Sequence, residues 1–157
     1  MALLKCLLAL REMRETRDAQ SLRRARDARA QADAAVTRAE RALEQGLMET
    51  RRQEDALFDG MRGALWPLST VQGMHGRLEA LRQGAETLRD GVAEAEAQRT
   101  QSQARLETAQ AVHRRSRKQA DKASEVHAAH EREARLLSER KEDMEMEEVA
   151  ASRRPVA

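Results

Sequence analysis

Apolar residues recur along this chain in alternating steps of three and four. From Val71 the count runs unbroken through Met74, Leu78, Leu81, Ala85, Leu88, Val92 and Ala95. It crosses Arg99 and Ser102 and resumes at Leu106, Ala109, Ala120, Ala123, Ala134 and Leu137. His113, Ser116, His127 and His130 occupy the sites in between. A stripe that keeps one register for so many heptads predicts a left-handed coiled coil, because a 3.5-residue repeat faces a partner continuously only when the helices supercoil. An earlier segment repeats with the same period at Leu22, Ala25, Ala32, Val36, Ala39, Leu43 and Gly46, with Arg29 as the exception. Towards its start the seam is Leu4 and Leu8, then polar at Arg11, Glu15 and Asp18. Towards its end it shifts to Leu47, Leu57 and Met61.

The two periodic segments flank one punctuated stretch, residues 59–76, which holds Gly60, Gly63, Pro67, Gly73 and Gly76. Ser69 followed by Gln72 has the spacing of a capping box, which starts a second helix near Ser69; a start nearer Arg77 is the alternative, since Gly73 and Gly76 weaken the first turns. The expected layout is a single domain, with helix one over about 3–58, a turn over about 59–68, helix two over about 69–148 and a frayed tail over about 149–157 around Pro155. Folding the chain back near residue 64 places residues opposite one another when their numbers sum to roughly 127 or 128. Leu22 then meets Leu106, Ala32 meets Ala95, Val36 meets Val92, Ala39 meets Leu88 and Leu43 meets Ala85. Glu15 falls opposite His113, while Arg29 faces Arg99 and both must splay outwards over the seam. The expected fold is therefore all-α: a long antiparallel two-helix coiled-coil hairpin. The second helix overhangs, so residues from about 124 to 148 lack an intramolecular partner, and 125–150 order only against one.

Composition agrees with this layout and excludes others. In 157 residues, 36% are charged and 1% aromatic, with 7 glycines, 2 prolines and no tyrosine. A compact domain normally fills its core with aromatics, and here the only two are Phe58 and Trp66, both beside the turn. The formal net charge of +2 is too balanced for a dedicated nucleic-acid binder, and no aromatic platforms accompany the arginines. The start is too short for a membrane span and lacks the layout of a secretory signal. With Cys6 as the single cysteine, a cytoplasmic protein is expected.

No phosphate loop, nucleophile elbow or metalloprotease motif is present, and a two-helix seam encloses no pocket that excludes water, so neither an enzyme nor a cofactor site is expected. His127 and His130 share a helical face with Glu131 beside them, an incomplete metal set, so they are read as seam residues and no metal is expected. Two features invite partners. Arg11, Arg14 and Arg17 on helix one come level with Arg114, Arg115, Arg117 and Lys118 on helix two, forming a basic collar that is either a solvated face or a docking site for an acidic protein surface. Phe58, Met61 and Trp66 gather at the tip, as a cap over the seam or as an exposed binding patch.

A short apolar start, then Leu10, Arg11, Arg14, Ala19 and Leu22, a long helix, one break and a longer second helix: this layout resembles the YscO/FliJ family, the central stalk proteins of type III secretion and flagellar export, and is closer to the injectisome branch. The resemblance spans nearly the whole chain. It implies a helical hairpin that enters the hexameric export ATPase and links it to the export gate at the cytoplasmic base of the apparatus, with some members also binding export chaperones. Arg11, Arg14, Arg17, Arg114, Arg115 and Arg117 would then face the ATPase, and the tip at Phe58, Met61 and Trp66 would serve the gate or a chaperone. Such a stalk is expected to be a monomer when free; a generic dimeric scaffold or helical secretion chaperone is the alternative.

Overall fold

The computed structural model describes residues 2–63 and 65–152, and side chains over 3–63 and 65–150. They form two helices, α1 over Ala2–Met61 and α2 over Leu68–Ser152, with no strand among the described residues. The expected fold-back point, residue 64, lies outside the described residues, as does 153–157 with Pro155. The final four described residues, 149–152, continue α2.

The break between the helices is built by three residues. Gly63 has φ +84, the left-handed conformation that closes a helix at low cost only for glycine, so α1 stops just before it. The indole Nε1–H of Trp66 donates to the carbonyl of Met61 at 3.3 Å, satisfying one of the acceptors that a helix end leaves open. The carbonyl of Pro67 then accepts from Thr70 N–H at 3.0 Å and Val71 N–H at 3.2 Å, which starts α2 one residue earlier than the capping-box reading. Ser69 consequently lies inside the first turn and caps nothing. Gly60, Gly73 and Gly76 stay helical, because seam packing outweighs a propensity cost of about 1 kcal/mol each.

The chain divides into two compact units, one made of residues 1–22 with 109–157 and the other of residues 23–108. The second unit is an antiparallel hairpin. Its shielded positions on α1 are Ala25, Arg29, Ala32, Val36, Ala39 and Leu43, and on α2 they run from Met74 through Leu78, Leu81, Ala85, Leu88, Val92 and Ala95 to Leu106. This is the predicted stripe. Val71 departs from it and is exposed, with Thr70 partly shielded in its place. Val36 is only 4% exposed, yet among the described residues no side chain is wholly enclosed, so the core is one side chain deep. Gly46 sits against Leu88: a methyl there would run into its Cδ1, with Cγ 3.7 Å away. Sequence pairing put Leu88 opposite Ala39. Gly46 against Leu88 and Arg29 with Gln103 set opposite residues several positions further along α2 than a fold-back at residue 64 expects. Beyond Gly46 the shielded set on α1 continues at Leu47, Thr50, Glu54, Leu57 and Met61. Arg29 does not splay from the seam. Its Nε–H donates to Gln103 at 2.9 Å and its guanidinium pairs with Asp33, leaving the side chain largely covered.

In the first unit Leu4 and Leu8 begin the seam, and Ala109, Ala120, Ala123, His127 and Ala134 carry it on α2. His130 is exposed and Glu131 takes the half-buried position, so the register slips by one residue there. Every described side chain from 135 to 150 is exposed, as the expected overhang requires.

Candidate partner-binding surfaces

Three polar layers interrupt the seam of the first unit. Glu15 Oε1 lies 2.9 Å from His113 Nε2, with both side chains mostly covered. Arg11 donates across the helix pair to Gln119 Oε1. Asp18 is 7% exposed and accepts Nε–H and Nη2–H of Arg17, each at 3.1 Å, while buried Ser116 donates its hydroxyl to the His113 carbonyl at 3.1 Å. A carboxylate withdrawn from water needs such donors, because an unpaired buried charge costs several kcal/mol.

These layers divide the residues expected to form one basic collar. Arg11 bonds Gln119 and is half-buried, Arg17 pairs with Asp18 while its side chain stays 72% exposed, and Arg14 is exposed. On α2, Arg114, Arg115 and Arg117 are all exposed, but only Arg114 and Arg115 line a common furrow, together with Ala111, Lys118, Gln119 and Lys122. The basic surface is thus mainly a stripe on α2. Lys122 was absent from the sequence-derived set, although its spacing from Ala111, Arg115 and Lys118 is that of one helical face.

At the tip, Phe58, Leu65, Trp66, Leu68 and Val71 are exposed and Met61 is half-buried. Trp66 combines both readings of this region, since its indole N–H caps α1 while its ring remains 42% exposed.

The family model for type III secretion protein YscO matches residues 4–152. The chain belongs to the YscO family. The 2.8 Å crystal structure of type III secretion protein YscO from Vibrio parahaemolyticus is 20% identical in sequence, with a TM-score of 0.85 over 94% of this chain and 92% of that one. At such identity the likeness speaks for the fold alone. Comparison with curated protein sequences finds no match.

His127 Nε2 lies 3.8 Å from Glu131 Oε1 and His130 is exposed, and among the described residues no three metal-ligating side chains converge. Cys6 is exposed. Among the described residues no helix is long and apolar enough to cross a membrane. What a YscO-family helix pair of this kind offers is surface: a basic stripe in one unit and an apolar tip in the other.

Proposed function

We propose that this chain is the stalk and adaptor of a type III secretion apparatus, binding the hexameric export ATPase with its basic surface and coupling it to the export gate. The observation that carries this reading is the YscO family match over nearly the whole chain. The exposed Arg114, Arg115 and Arg117 suit the task, because a guanidinium fork engages carboxylates bidentately and needs no pocket. Arg14 extends the same basic character onto α1, whereas Arg11 and Arg17 act mainly within the chain. The tip at Phe58, Met61 and Trp66 serves the gate or an export chaperone, since exposed aromatic and Met side chains are favoured at interface cores. The action is mechanical and electrostatic rather than catalytic, and it takes place in the cytoplasm at the base of the apparatus.

Adding the purified protein to its cognate export ATPase is expected to change hexamer formation or turnover. The triple variant Arg114→Glu, Arg115→Glu, Arg117→Glu is expected to lose that effect while keeping its helicity. A variant that stimulates as the parent does removes the basic surface from the mechanism.

A further inference from the structure

The two flanks of the unit formed by residues 1–22 and 109–157 differ in kind. On one of them a groove is lined by Leu4, Leu7 and Arg11 from α1 and by Gln119, Lys122, Ala123 and Val126 from α2, which fixes the side of α1 that meets this side of α2. Helical spacing extends the α1 ridge from Leu7 to Leu3, Leu10, Arg14 and Arg17, all exposed. It extends the α2 ridge from Val126 and Lys122 through Gln119 to Arg115 and Val112, also all exposed. Apart from Gln119 these ridges hold only large aliphatic side chains and cations. Leu3 is 87% exposed, and Leu7, Leu10, Val112 and Val126 are each close to half exposed. The acids of this stretch lie elsewhere. Glu15 and Asp18 are in the seam, bonded to His113 and Arg17, while Glu12 and Asp121 are on the opposite flank. Glu125 stands at the outer edge of α2 with Lys118, and Glu133 ends the pattern two turns past Val126. The opposite flank mixes Lys5, Arg114 and Arg117 with its two acids, and its exposed apolar residues are alanines. A solvated flank carries both signs, as that one does; clustered leucines beside cations of one sign mark a contact surface.

We propose that this flank docks on an anionic membrane surface, with Leu3, Leu7 and Leu10 dipping among the headgroups while Arg14, Arg115 and Lys122 engage lipid phosphates. The charge fits one sign of surface only, since no acid interrupts either ridge between Leu3 and Arg17 or between Val112 and Val126. The stems of Arg and Lys lie along apolar surface while their charged ends reach the phosphates, so both kinds of side chain serve one contact. Leu3 and Arg17 are about 21 Å apart along α1, so the apolar and cationic ends rest on a single patch of bilayer. Leu7 and Val126 project at the rim of the groove instead of lining a deep socket, which suits a fluid surface better than a protein knob. So few leucines hold a neutral bilayer poorly, and so few cations hold an anionic one only at low salt; together they give reversible attachment that depends on anionic lipid. Arg14 and Arg115 also belong to the surface offered to the export ATPase, so membrane and ATPase compete for them. This goes beyond the stalk reading and is tested without the ATPase, so either can fail without the other.

Flotation of the full chain with lipid vesicles is the test. With equal parts phosphatidylglycerol and phosphatidylcholine at low salt, the chain is expected to float with the lipid. With phosphatidylcholine alone, or at about 1 M salt where the screening length is about 3 Å, the partition coefficient is expected to fall at least about tenfold. Arg14→Glu with Lys122→Glu is expected to lower it at least about tenfold as well. Arg51→Glu with Arg82→Glu makes the same change in net charge at exposed sites of the other unit and is expected to lower it less than about threefold. Cys6, the single cysteine, is exposed beside Leu3 and Leu10 and reports insertion. An environment-sensitive dye on it is expected to shift to the blue on the anionic vesicles, and Leu3→Ser with Leu10→Ser is expected to abolish that shift while helicity by circular dichroism is kept. A parent that does not float with anionic vesicles at low salt overturns the proposal and leaves the flank to an acidic protein. So does equal binding to neutral vesicles, an equal loss in the two charge-reversed variants, a dye that stays in water, or a shift that survives the loss of both leucines.

Discussion

The two units use the same pair of helices and fill the seam between them differently. In the hairpin of residues 23–108 the buried positions are Ala32, Val36, Ala85 and Ala95. In the unit of residues 1–22 and 109–157 the equivalent layers hold Glu15 with His113, Arg11 with Gln119, and the buried Asp18 and Ser116. Buried apolar groups contribute about 0.8 kcal/mol per methylene, whereas a satisfied hydrogen bond nets only about 1 kcal/mol and a buried carboxylate begins in deficit. The hairpin therefore supplies most of the stability. Its repeating Ala and Leu, however, mark the register weakly, which there falls to Arg29 with Gln103 and to Gly46 against Leu88. Glu15 and His113 form their contact in one register alone, so the polar layers specify alignment where the apolar ones supply cohesion.

The largest effect that bears on this contrast comes from moving an acid into the apolar unit. Val36→Asp buries a carboxylate with no built-in donors and is expected to cost about 3 kcal/mol or more, read as a large fall in thermal midpoint. A cost below about 1 kcal/mol means that the apolar seam is not what holds the hairpin. The converse change, Asp18→Leu with Ser116→Ala, makes the first unit resemble the second. It is expected to raise stability by about 1–2 kcal/mol, since replacing buried charge with packed apolar groups is often favourable. The gain comes with looser alignment, visible as multiple amide resonances for residues near Asp18. If the double variant melts lower with a single set of resonances, the Arg17–Asp18 pair is itself a net source of stability.

Much of this was legible in the sequence, for a physical reason: with a core one side chain deep, each seam residue is a direct readout of position. The stripe from Met74 to His127, the all-α hairpin, the pairing of Glu15 with His113 and the exposed C-terminal stretch all follow from period and fold-back. The misreadings arose where side chains act on the backbone or reach along it. Pro67 and Trp66 finish the helix ends through carbonyls, which the Ser69 and Gln72 spacing did not reveal. Leu88 lies against Gly46 rather than Ala39, because a fold-back count fixes the period of the seam and leaves the stagger of one helix along the other open. Arg29 was expected to swing out, but Gln103 and Asp33 hold it, because a long side chain chooses among partners that no period records. The basic collar divides for the same reason: a sequence shows six arginines alike, and only geometry shows that Asp18 pairs with one and Gln119 with another.

The finest test of the contrast is the Glu15–His113 contact itself. If its role is alignment, its energy need only exceed the difference between the correct register and a shifted one. A double-mutant cycle with Glu15→Ala and His113→Ala is expected to give a coupling of about 1 kcal/mol, since both groups are largely covered and the contact at 2.9 Å is well formed. Each single variant leaves one mostly covered polar group without its partner, so each is expected to cost at least as much as the coupling, and the double variant less than the two combined. The same cycle repeated with the apolar Asp18→Leu, Ser116→Ala background separates alignment from cohesion. There Glu15 and His113 are the principal remaining register marker, and losing them is expected to multiply the amide resonances without a matching fall in midpoint. Zero coupling in both backgrounds would transfer the alignment role to Arg11 and Gln119, which among the described residues also hydrogen-bond across the two helices in that unit.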